Sequence, residues 1–281
     1  MSIVQAIVLG IVQGLTEFFP VSSSGHLILV PWLFHWTFFL NHPDLNKTFD
    51  VALHIGTFVG AAVYFRADIV RYLASWFRSI RARAVRTTDE RLAWLLILAS
   101  IPGAIAGAAG EEFVDKHLGH PWLIAIWLAV FGILMLVVDR RSRGDREVDD
   151  LQTGDAIWMG VAQALALSPG VSRSGVTITA ARARRLSRES AVRFSFLMSL
   201  PIIGGAGIYK GLKLIKNGLP AGTAAPFAWG MLASAVTGFL AVSATIRFVR
   251  RRPLDAFVVY RVAAALAIFG IIASGFRPAG G

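Results

Sequence analysis

The chain contains no cysteine and few charged residues. Of its 281 residues, none is Cys and only 16% are Asp, Glu, Lys or Arg. The absence of thiols excludes disulfides, thiolate metal sites and cysteine nucleophiles. A soluble domain carries about 25% charged residues, whereas 55% of this chain is hydrophobic and its mean hydropathy is +0.61. The composition therefore predicts a membrane protein.

Positive charge is missing from the first part of the chain, where the first Lys or Arg is Lys47. A cleaved signal peptide begins with a basic segment, so we do not expect one here. The net charge of +11 would suggest nucleic acid in a soluble protein. Here the basic residues lie in short loops between apolar segments, where topology signals and anionic lipid headgroups explain them better. Nucleic acid is therefore not an expected partner.

Six apolar segments are long enough to cross a membrane as helices, which requires roughly 20 residues. They are 50–66, 92–110, 120–138, 193–214, 224–247 and 256–275. Segments 1–40 and 155–181 are also apolar, but Pro, Gly and Ser interrupt them, and each piece is short for a crossing. Irregular backbone at membrane depth persists only where protein or water surrounds it. We therefore predict that these two segments are re-entrant helix–loop–helix hairpins.

The distribution of Lys and Arg orients the segments. Loops 66–91, 139–152, 182–193 and 247–253 hold 20 basic residues, whereas the remaining loops and the C-terminal tail hold 6. Cytoplasmic loops carry the excess of positive charge. Hairpin 155–181 is then expected to enter from the cytoplasm and hairpin 1–40 from outside, with both termini external.

One segment occurs twice in the chain. Gly10–Gly25 aligns without a gap with Gly160–Gly175, and both copies end in Ser-x-Ser-Gly. Because the two copies are expected to enter the membrane from opposite faces, the repeat is inverted. The prediction is one all-α polytopic membrane domain of six transmembrane helices and two hairpins, with a first repeat over 1–150 and a second over 151–281.

The two copies differ in the residues that carry chemistry. The first contains Glu17, Ser23 and His26, and the second contains Arg173. Gln13 and Glu17 are four residues apart on one helix face, where they can offer two oxygen ligands to Mg²⁺ or Ca²⁺. The planar guanidinium of Arg173 suits phosphate, and His26 can act as a general acid or base. Charge inside a membrane is costly and usually functional.

Serine hydroxyls and glycine amides at the start of a helix can donate hydrogen bonds to phosphate oxygens. The expected substrate-binding residues are Ser22, Ser24, Gly25, Ser172, Ser174 and Gly175. Each candidate also has a structural alternative, since serines cap helices and buried polar side chains bond neighbouring helices. For His54 and Asp50 on the next span, the structural alternative is favoured.

The motifs resemble those of a known family. Gln13–His26 (QGLTEFFPVSSSGH) and Pro169–Gly175 (PGVSRSG) resemble the two signature motifs of the bacterial undecaprenyl-diphosphate phosphatases, a membrane family associated with bacitracin resistance. The resemblance covers nearly the whole chain. It implies hydrolysis of an acid anhydride, undecaprenyl diphosphate, to undecaprenyl phosphate and inorganic phosphate, which recycles the lipid carrier for peptidoglycan. It also implies a divalent cation, the bacterial cytoplasmic (inner) membrane and an active site open to the periplasm.

The resemblance also implies roles for single residues. Glu17 matches the second acid of the Glu/Gln-x-x-x-Glu motif, Ser23 the nucleophile, His26 the family's histidine and Arg173 the arginine of the second motif. Gln13 departs from the pattern, because many members have glutamate there, and an amide brings no charge. In the mechanism these residues suggest, Arg173 holds phosphate oxygens while Ser23 or a water attacks, and His26 or Glu17 takes the proton.

A transporter or lipid flippase is the rival interpretation, since inverted repeats with broken helices are typical of transporters. Translocation needs no general acid or base, whereas hydrolysis does. The expected partners are a polyprenyl diphosphate and membrane lipids, and a homodimer is compatible with the sequence.

Overall fold

The computed structural model describes residues 1–38, 43–217 and 222–279, most of which lie in helices. The helices are α1 (Ile3–Phe18), α2 (Ser23–Phe34), α3 (Pro43–Tyr64), α4 (Arg66–Ala82), α5 (Thr88–His117), α6 (Pro121–Arg141), α7 (Thr153–Ala164), α8 (Arg173–Ala183), α9 (Arg188–Asn217), α10 (Ala224–Val249) and α11 (Asp255–Ala273). Short 3₁₀ turns span Val148–Asp150 and Leu165–Leu167. Residues 39 and 40, the end of the predicted hairpin 1–40, lie outside the described residues.

Five of these helices contain a stretch long and apolar enough to cross a membrane, namely α5, α6, α9, α10 and α11. Helix α3 adds a sixth candidate if it is taken together with α4, from which it is bent by 83°. The prediction of an all-helical polytopic membrane protein is therefore confirmed, with five or six candidate spans.

Helix α4 differs from the sequence expectation. The arginine-rich stretch 66–91 was expected as a loop, but its first part is helical. Val70, Leu73 and Phe77 are 67%, 51% and 61% exposed on one face, whereas Tyr72 is buried against the protein. Spacings of three and four residues produce such a stripe on a helix. The arginines between these apolar residues lower the average hydropathy and hide the pattern.

Glycine lets the first helix of each hairpin lie directly against a long helix. A Cβ on Gly10 of α1 would lie 2.3 Å from the carbonyl oxygen of Gly230 in α10. A Cβ on Gly160 of α7 would lie 2.6 Å from the carbonyl oxygen of Ala99 in α5. Small residues permit this close approach of helix backbones in membranes. Helices α1 and α7, which carry the two copies of the repeated segment, thus each pack a glycine directly against the backbone of a long helix.

Both hairpins break with the same local backbone. Pro20 follows α1, and Pro169 follows the 3₁₀ turn after α7, and neither can continue a helix without losing a hydrogen bond. The next helices begin after Ser22 and Ser172, whose φ angles are 77° and 73°. Residues other than glycine rarely adopt this left-handed region, and strain of this kind clusters at functional sites.

Ion pairs hold the start of α7 and the end of α8, which together form the end of the second hairpin away from its break. Asp155 at the start of α7 accepts hydrogen bonds from Arg146 and Arg184, both at 2.6 Å. Asp139 of α6 accepts one from Arg182 of α8 at 2.7 Å. Asp155 and Asp139 are buried, so these pairs fix α7 and α8 to each other and to α6.

Hydrogen bonds to backbone carbonyl oxygens join the end of α2, in the first hairpin, to the chain after α11. The Arg277 guanidinium donates to the Leu33 carbonyl oxygen at 2.7 Å, and the Trp32 indole donates to the Pro278 carbonyl oxygen at 3.1 Å. The chain after α11 therefore lies against the end of α2.

Candidate active site

The breaks of the two hairpins contact each other directly. The Ser22 hydroxyl accepts hydrogen bonds from the Gly25 amide of its own helix at 3.4 Å and from the Gly170 amide of the other hairpin at 2.9 Å. In the reverse direction, the Ser174 hydroxyl donates to the Phe19 carbonyl oxygen at 3.3 Å. Helices α2 and α8 consequently begin beside one another.

A fully buried arginine fastens both breaks to α6. Arg261 of α11 is 0% exposed, and it forms no ion pair among the described residues. Its guanidinium donates to five carbonyl oxygens, those of Pro20, Trp127, Leu128, Gly170 and Val171. A buried charge requires such a complete set of partners. One side chain therefore orders the turns of both hairpins.

The site is organised around Glu17, which is 5% exposed. Its Oε1 accepts a hydrogen bond from Nη2 of Arg173 at 2.7 Å. Its Oε2 accepts hydrogen bonds from the Ser23 hydroxyl at 2.5 Å and from Nε2 of Gln13 at 3.0 Å. Nε2 of His54 is 3.7 Å from the same Oε2. The structure thus brings together Gln13, Glu17, Ser23 and Arg173, which the sequence singled out.

Glu17, Ser23 and Arg173 lie at a cavity of about 290 Å³. Nη1 of Arg173 is buried without a hydrogen-bond partner within the described residues. An arginine at a cavity whose donors are not all engaged by the protein is suited to an anionic ligand. The cavity is lined by Thr16, Glu17, Ser23, Ser24, Val51, His54, Gly103, Gln163, Ala166, Leu167, Ser172, Arg173, Ile202, Ile203, Ala206 and Gly207.

His26 does not line this cavity. Its Nδ1 lies 2.7 Å from the Ser22 carbonyl oxygen, and its Nε2 lies 2.7 Å from the Tyr260 hydroxyl. A carbonyl oxygen only accepts, so Nδ1 carries a proton, and in the neutral ring the lone pair of Nε2 faces Tyr260. The protein therefore occupies both ring nitrogens of His26.

The six expected phosphate-binding residues divide into two groups. The hydroxyls of Ser22 and Ser172 cap α2 and α8, where they accept the amides of Gly25 and Gly175. Those two glycine amides are therefore engaged by the protein, and their predicted role in phosphate binding stays a prediction. The first N–H groups of a helix have no acceptor within it, so the amides at the very start of α2 and α8 are the better-placed donors.

Of the same six residues, Ser24 and the capping residue Ser172 line the cavity. Ser174 does not line it, and its hydroxyl serves the contact with Phe19. Some of the predicted serines thus line the cavity while others hold the hairpins in place, and the substrate-binding role of the set stays a prediction.

Comparison with known proteins identifies the family. The model of the family described as bacitracin resistance protein BacA matches residues 6–267. The chain belongs to that family. Its similarity to proteins named undecaprenyl-diphosphatase extends over almost the full length of each. The protein of Pelobacter propionicus is 43% identical over 276 residues, which cover 98% of this chain and 99% of the relative.

Two other relatives with the same name give similar figures. The protein of Trichlorobacter lovleyi is 44% identical over 280 residues, covering 98% of this chain and 99% of its own. The protein of Moorella thermoacetica is 45% identical over 271 residues, which cover 96% of this chain and 98% of the relative. The resemblance drawn from the two motifs is therefore confirmed at the level of the whole BacA-family chain.

The residues of this BacA-family site offer limited ligation to a divalent cation. Glu17 is the one carboxylate in the cavity lining, and the described residues contain no group of three or more His, Asp or Glu suited to a metal. The Oε1 of Gln13 is buried without a hydrogen-bond partner in the described structure. Mg²⁺ commonly uses one or two carboxylates together with substrate phosphates. The donor set fits a cation shared with the substrate rather than an all-protein site.

Three residues with polar contacts at the site were not identified from the sequence as functional. His54 was assigned a structural role, yet it lines the cavity near Glu17. Gln163 is 4% exposed and also lines the cavity, and its Oε1 has no partner among the described residues. Its alignment with Gln13 in the repeat was an available signal. For Arg261, the signal was a lone arginine within a predicted span.

Proposed function

We propose that the protein hydrolyses undecaprenyl diphosphate to undecaprenyl phosphate and inorganic phosphate, and so recycles the lipid carrier for cell-wall synthesis. The observation that carries the proposal is the Glu17–Arg173 pair at 2.7 Å with the Ser23 hydroxyl 2.5 Å from Glu17. A base, a nucleophile and a phosphate-binding cation are then in contact at one cavity. The activity named for the full-length relatives supports it.

Binding of the diphosphate depends on fixed positive charge. The free Nη1 of Arg173 can donate to a phosphate oxygen while Nη2 remains on Glu17. The N-termini of α2 and α8 add the positive ends of two helix dipoles. Donors already oriented toward the phosphate stabilise the charge that develops in the transition state without reorganisation.

The reaction starts with attack on the terminal phosphorus. As the bond from Ser23 Oγ to phosphorus forms, the bond to the bridging oxygen breaks, the Ser23 proton passes to Glu17, and undecaprenyl phosphate leaves. Water then attacks the phosphoserine, the bond to Oγ breaks, Glu17 returns its proton to Ser23 Oγ, and inorganic phosphate leaves with the oxygen and protons of the water. In the alternative, a water held in place of the serine hydroxyl attacks directly and gives its proton to Glu17. His26, with both nitrogens occupied, is less well placed than Glu17 for this first proton.

A divalent cation, Mg²⁺ or Ca²⁺, remains part of the proposal. Glu17 and the Gln13 carbonyl oxygen are the residues that would hold it, with the diphosphate supplying further oxygens. When bound, it would neutralise phosphate charge. Chelation is expected to lower the rate of phosphate release by purified protein, and Mg²⁺ or Ca²⁺ should restore it. An unchanged rate after complete chelation would remove the cation from the mechanism.

The finer topology is also proposed: six spans, two re-entrant hairpins in an inverted repeat, a periplasmic opening and external termini. The matching φ angles of Ser22 and Ser172 and the matching glycine contacts of α1 and α7 support it. Because the chain lacks cysteine, Ser2→Cys and Thr87→Cys each introduce one thiol. A membrane-impermeant reagent on intact cells should label the first and not the second. The reverse pattern would contradict this orientation.

Purified protein in detergent tests the activity. It is expected to release inorganic phosphate from undecaprenyl diphosphate at a rate that Arg173→Ala abolishes. No release with or without Mg²⁺ or Ca²⁺ would refute the proposal and leave lipid translocation as the alternative.

A further inference from the structure

The cavity can hold only the diphosphate end of the proposed substrate. Its volume of about 290 Å³ is at the lower limit for small-ligand sites. A long undecaprenyl chain cannot fit there beside the diphosphate. Since the chain is apolar, it is most stable where it leaves the cavity through an apolar wall toward lipid.

Most of the apolar lining comes from two segments of the chain. The 3₁₀ turn of the second hairpin contributes Ala166 and Leu167, and α9 contributes Ile202, Ile203 and Ala206. The polar lining comes mainly from the hairpins and α3. A lipid with a charged head and an apolar chain would therefore direct its chain toward α9.

Among the described residues, one face of α9 contacts α5 only along about the first half of α9. The Ser100 hydroxyl of α5 donates to the Met198 carbonyl oxygen at 3.2 Å. One turn later, Ile202 Cδ1 is 3.1 Å from where a Cβ on Gly103 would be. After one more turn, Ala206 is exposed but still lines the cavity. Helices α5 and α9 are thus in contact as far as Gly103 and Ile202, and an opening follows.

The other side of α9 remains closed. A Cβ on Gly204 would lie 3.0 Å from the Phe58 ring, and one on Gly207 would lie 3.0 Å from Cγ1 of Ile55. On α5, in contrast, a Cβ on Gly107 would have within 4 Å, among the described residues, one atom of the second hairpin at 3.9 Å and none of α9. Within the part of the chain that the structure describes, helix α9 is therefore packed against α3 but not against α5 at this level.

We infer that the polyprenyl chain passes through this opening, the α5–α9 portal, lined by Gly103, Ala166, Leu167, Ile202, Ile203 and Ala206. The inference rests on the proposed function, because it assigns the apolar portion of the same substrate. Beyond the contact of Gly103 with Ile202, the small residues Gly107 and Ala206 leave room for an isoprene unit between the two helices. Filling the portal should then discriminate against long chains and spare short ones.

A tryptophan in the portal tests this. Ala206→Trp is compared with Ala267→Trp, an identical change at an exposed position of α11 that does not line the cavity. The substrates are undecaprenyl diphosphate and isopentenyl diphosphate. In Ala206→Trp, the ratio of kcat/KM for the long substrate to that for the short one should fall about ten-fold or more, mainly through KM. Ala267→Trp should keep the wild-type ratio. An unchanged ratio in Ala206→Trp, or an equal loss on both substrates, would overturn the portal.

Photo-crosslinking gives a second measurement that does not require turnover. A polyprenyl diphosphate analogue with a benzophenone in its chain should label residues 103–110 of α5 and 202–209 of α9 in the wild-type protein. Labelling confined to α6 and α11 would overturn the portal even if phosphate is released. Labelling of the portal without phosphate release would instead refute hydrolysis and keep the portal.

Discussion

The two hairpins have the same backbone conformation at their breaks, but their side chains differ in chemistry. Ser22 and Ser172 have the same left-handed φ, and each caps a helix through a glycine amide three residues later. The residues that follow the caps are Ser23 in one copy and Arg173 in the other. The similar backbone of the two breaks places two helix starts beside each other, and the aligned position gives one a serine hydroxyl and the other a guanidinium.

The hairpins also differ in how firmly they are held. Helix α8 is buried along most of its length, and ion pairs fix its hairpin at Asp155 and Asp139. In α2, only Gly25, His26, Leu27 and Leu29 are buried, and its end contacts backbone carbonyls. Buried ion pairs are costly to break, because each leaves an unpaired charge. We expect the second hairpin to be the rigid element that positions Arg173, with the first adapting to it.

Removal of Arg173 is expected to have the largest effect. Arg173→Ala removes the phosphate contact and leaves Glu17 buried without its cation, so phosphate release should fall about 10³-fold or more. Arg173→Lys should recover little, since lysine lacks the planar fork. Arg185→Ala, which breaks an exposed pair with Asp145, is the matched control and should remain near wild type. A rate in Arg173→Ala within a few-fold of wild type would show that the second hairpin does not supply the phosphate-binding cation.

Glu17→Gln tests the base on the first hairpin. Glutamine keeps the size of the side chain and one acceptor oxygen, but it loses the negative charge beside Arg173 and cannot take the proton of Ser23, so kcat should fall about 10²- to 10⁴-fold. Glu189→Gln is the control, because it changes an exposed pair with Arg250. If Glu17→Gln lowers only the affinity for undecaprenyl diphosphate, Glu17 is a binding residue and another group must take the proton.

Ser23→Ala distinguishes the two attacking groups. With a serine nucleophile, turnover should fall at least about 10²-fold, and substrate labelled in its terminal phosphate should leave phosphoserine at residue 23 of the wild-type protein. Ser274→Ala, at an exposed hydroxyl after α11, serves as the control. Full activity in Ser23→Ala would exclude the covalent route and favour direct attack by water.

Removal of the two caps should have the smallest effect, and an unequal one. Ser172→Ala loses a cap worth about 1 kcal/mol of unfolding free energy. Ser22→Ala also leaves the Gly170 amide without its acceptor at 2.9 Å, which adds about 1–3 kcal/mol if that amide stays buried. Thermal unfolding in detergent measures both variants against Ser274→Ala. Equal losses would mean that the bond between the hairpins contributes nothing to stability.

Much of the site was predictable because its residues are anomalous in apolar sequence. Glu17 and Arg173 stand out, since charge within a membrane segment is costly, and the repeat draws attention to Ser22, Ser23 and their neighbours. His54 and Gln163 were overlooked because neither is unusual by itself. Their relevance comes from proximity to Glu17 and to the cavity, which depends on how α3 and α7 pack.

The helical structure of α4 and the contact made by His26 were also not predictable from the local sequence. The helix in 66–82 was missed because its apolar stripe faces away from the protein and alternates with arginines. The sequence predicted a general acid or base at His26 but gave no sign that Tyr260 of α11 contacts its Nε2. A side chain's partner from a distant helix cannot be inferred from local sequence.

The sequence alone determined the membrane class, the breaks after α1 and α7 and the anomalous residues Glu17, Ser23 and Arg173, because hydropathy, proline breaks and buried charge are local properties. Only the tertiary structure decided which atoms meet. It joined Glu17 to Arg173, placed Tyr260 against His26, and fixed both turns on Arg261. These outcomes depend on hydrogen-bond partners far apart in the chain, and helix packing selects those partners.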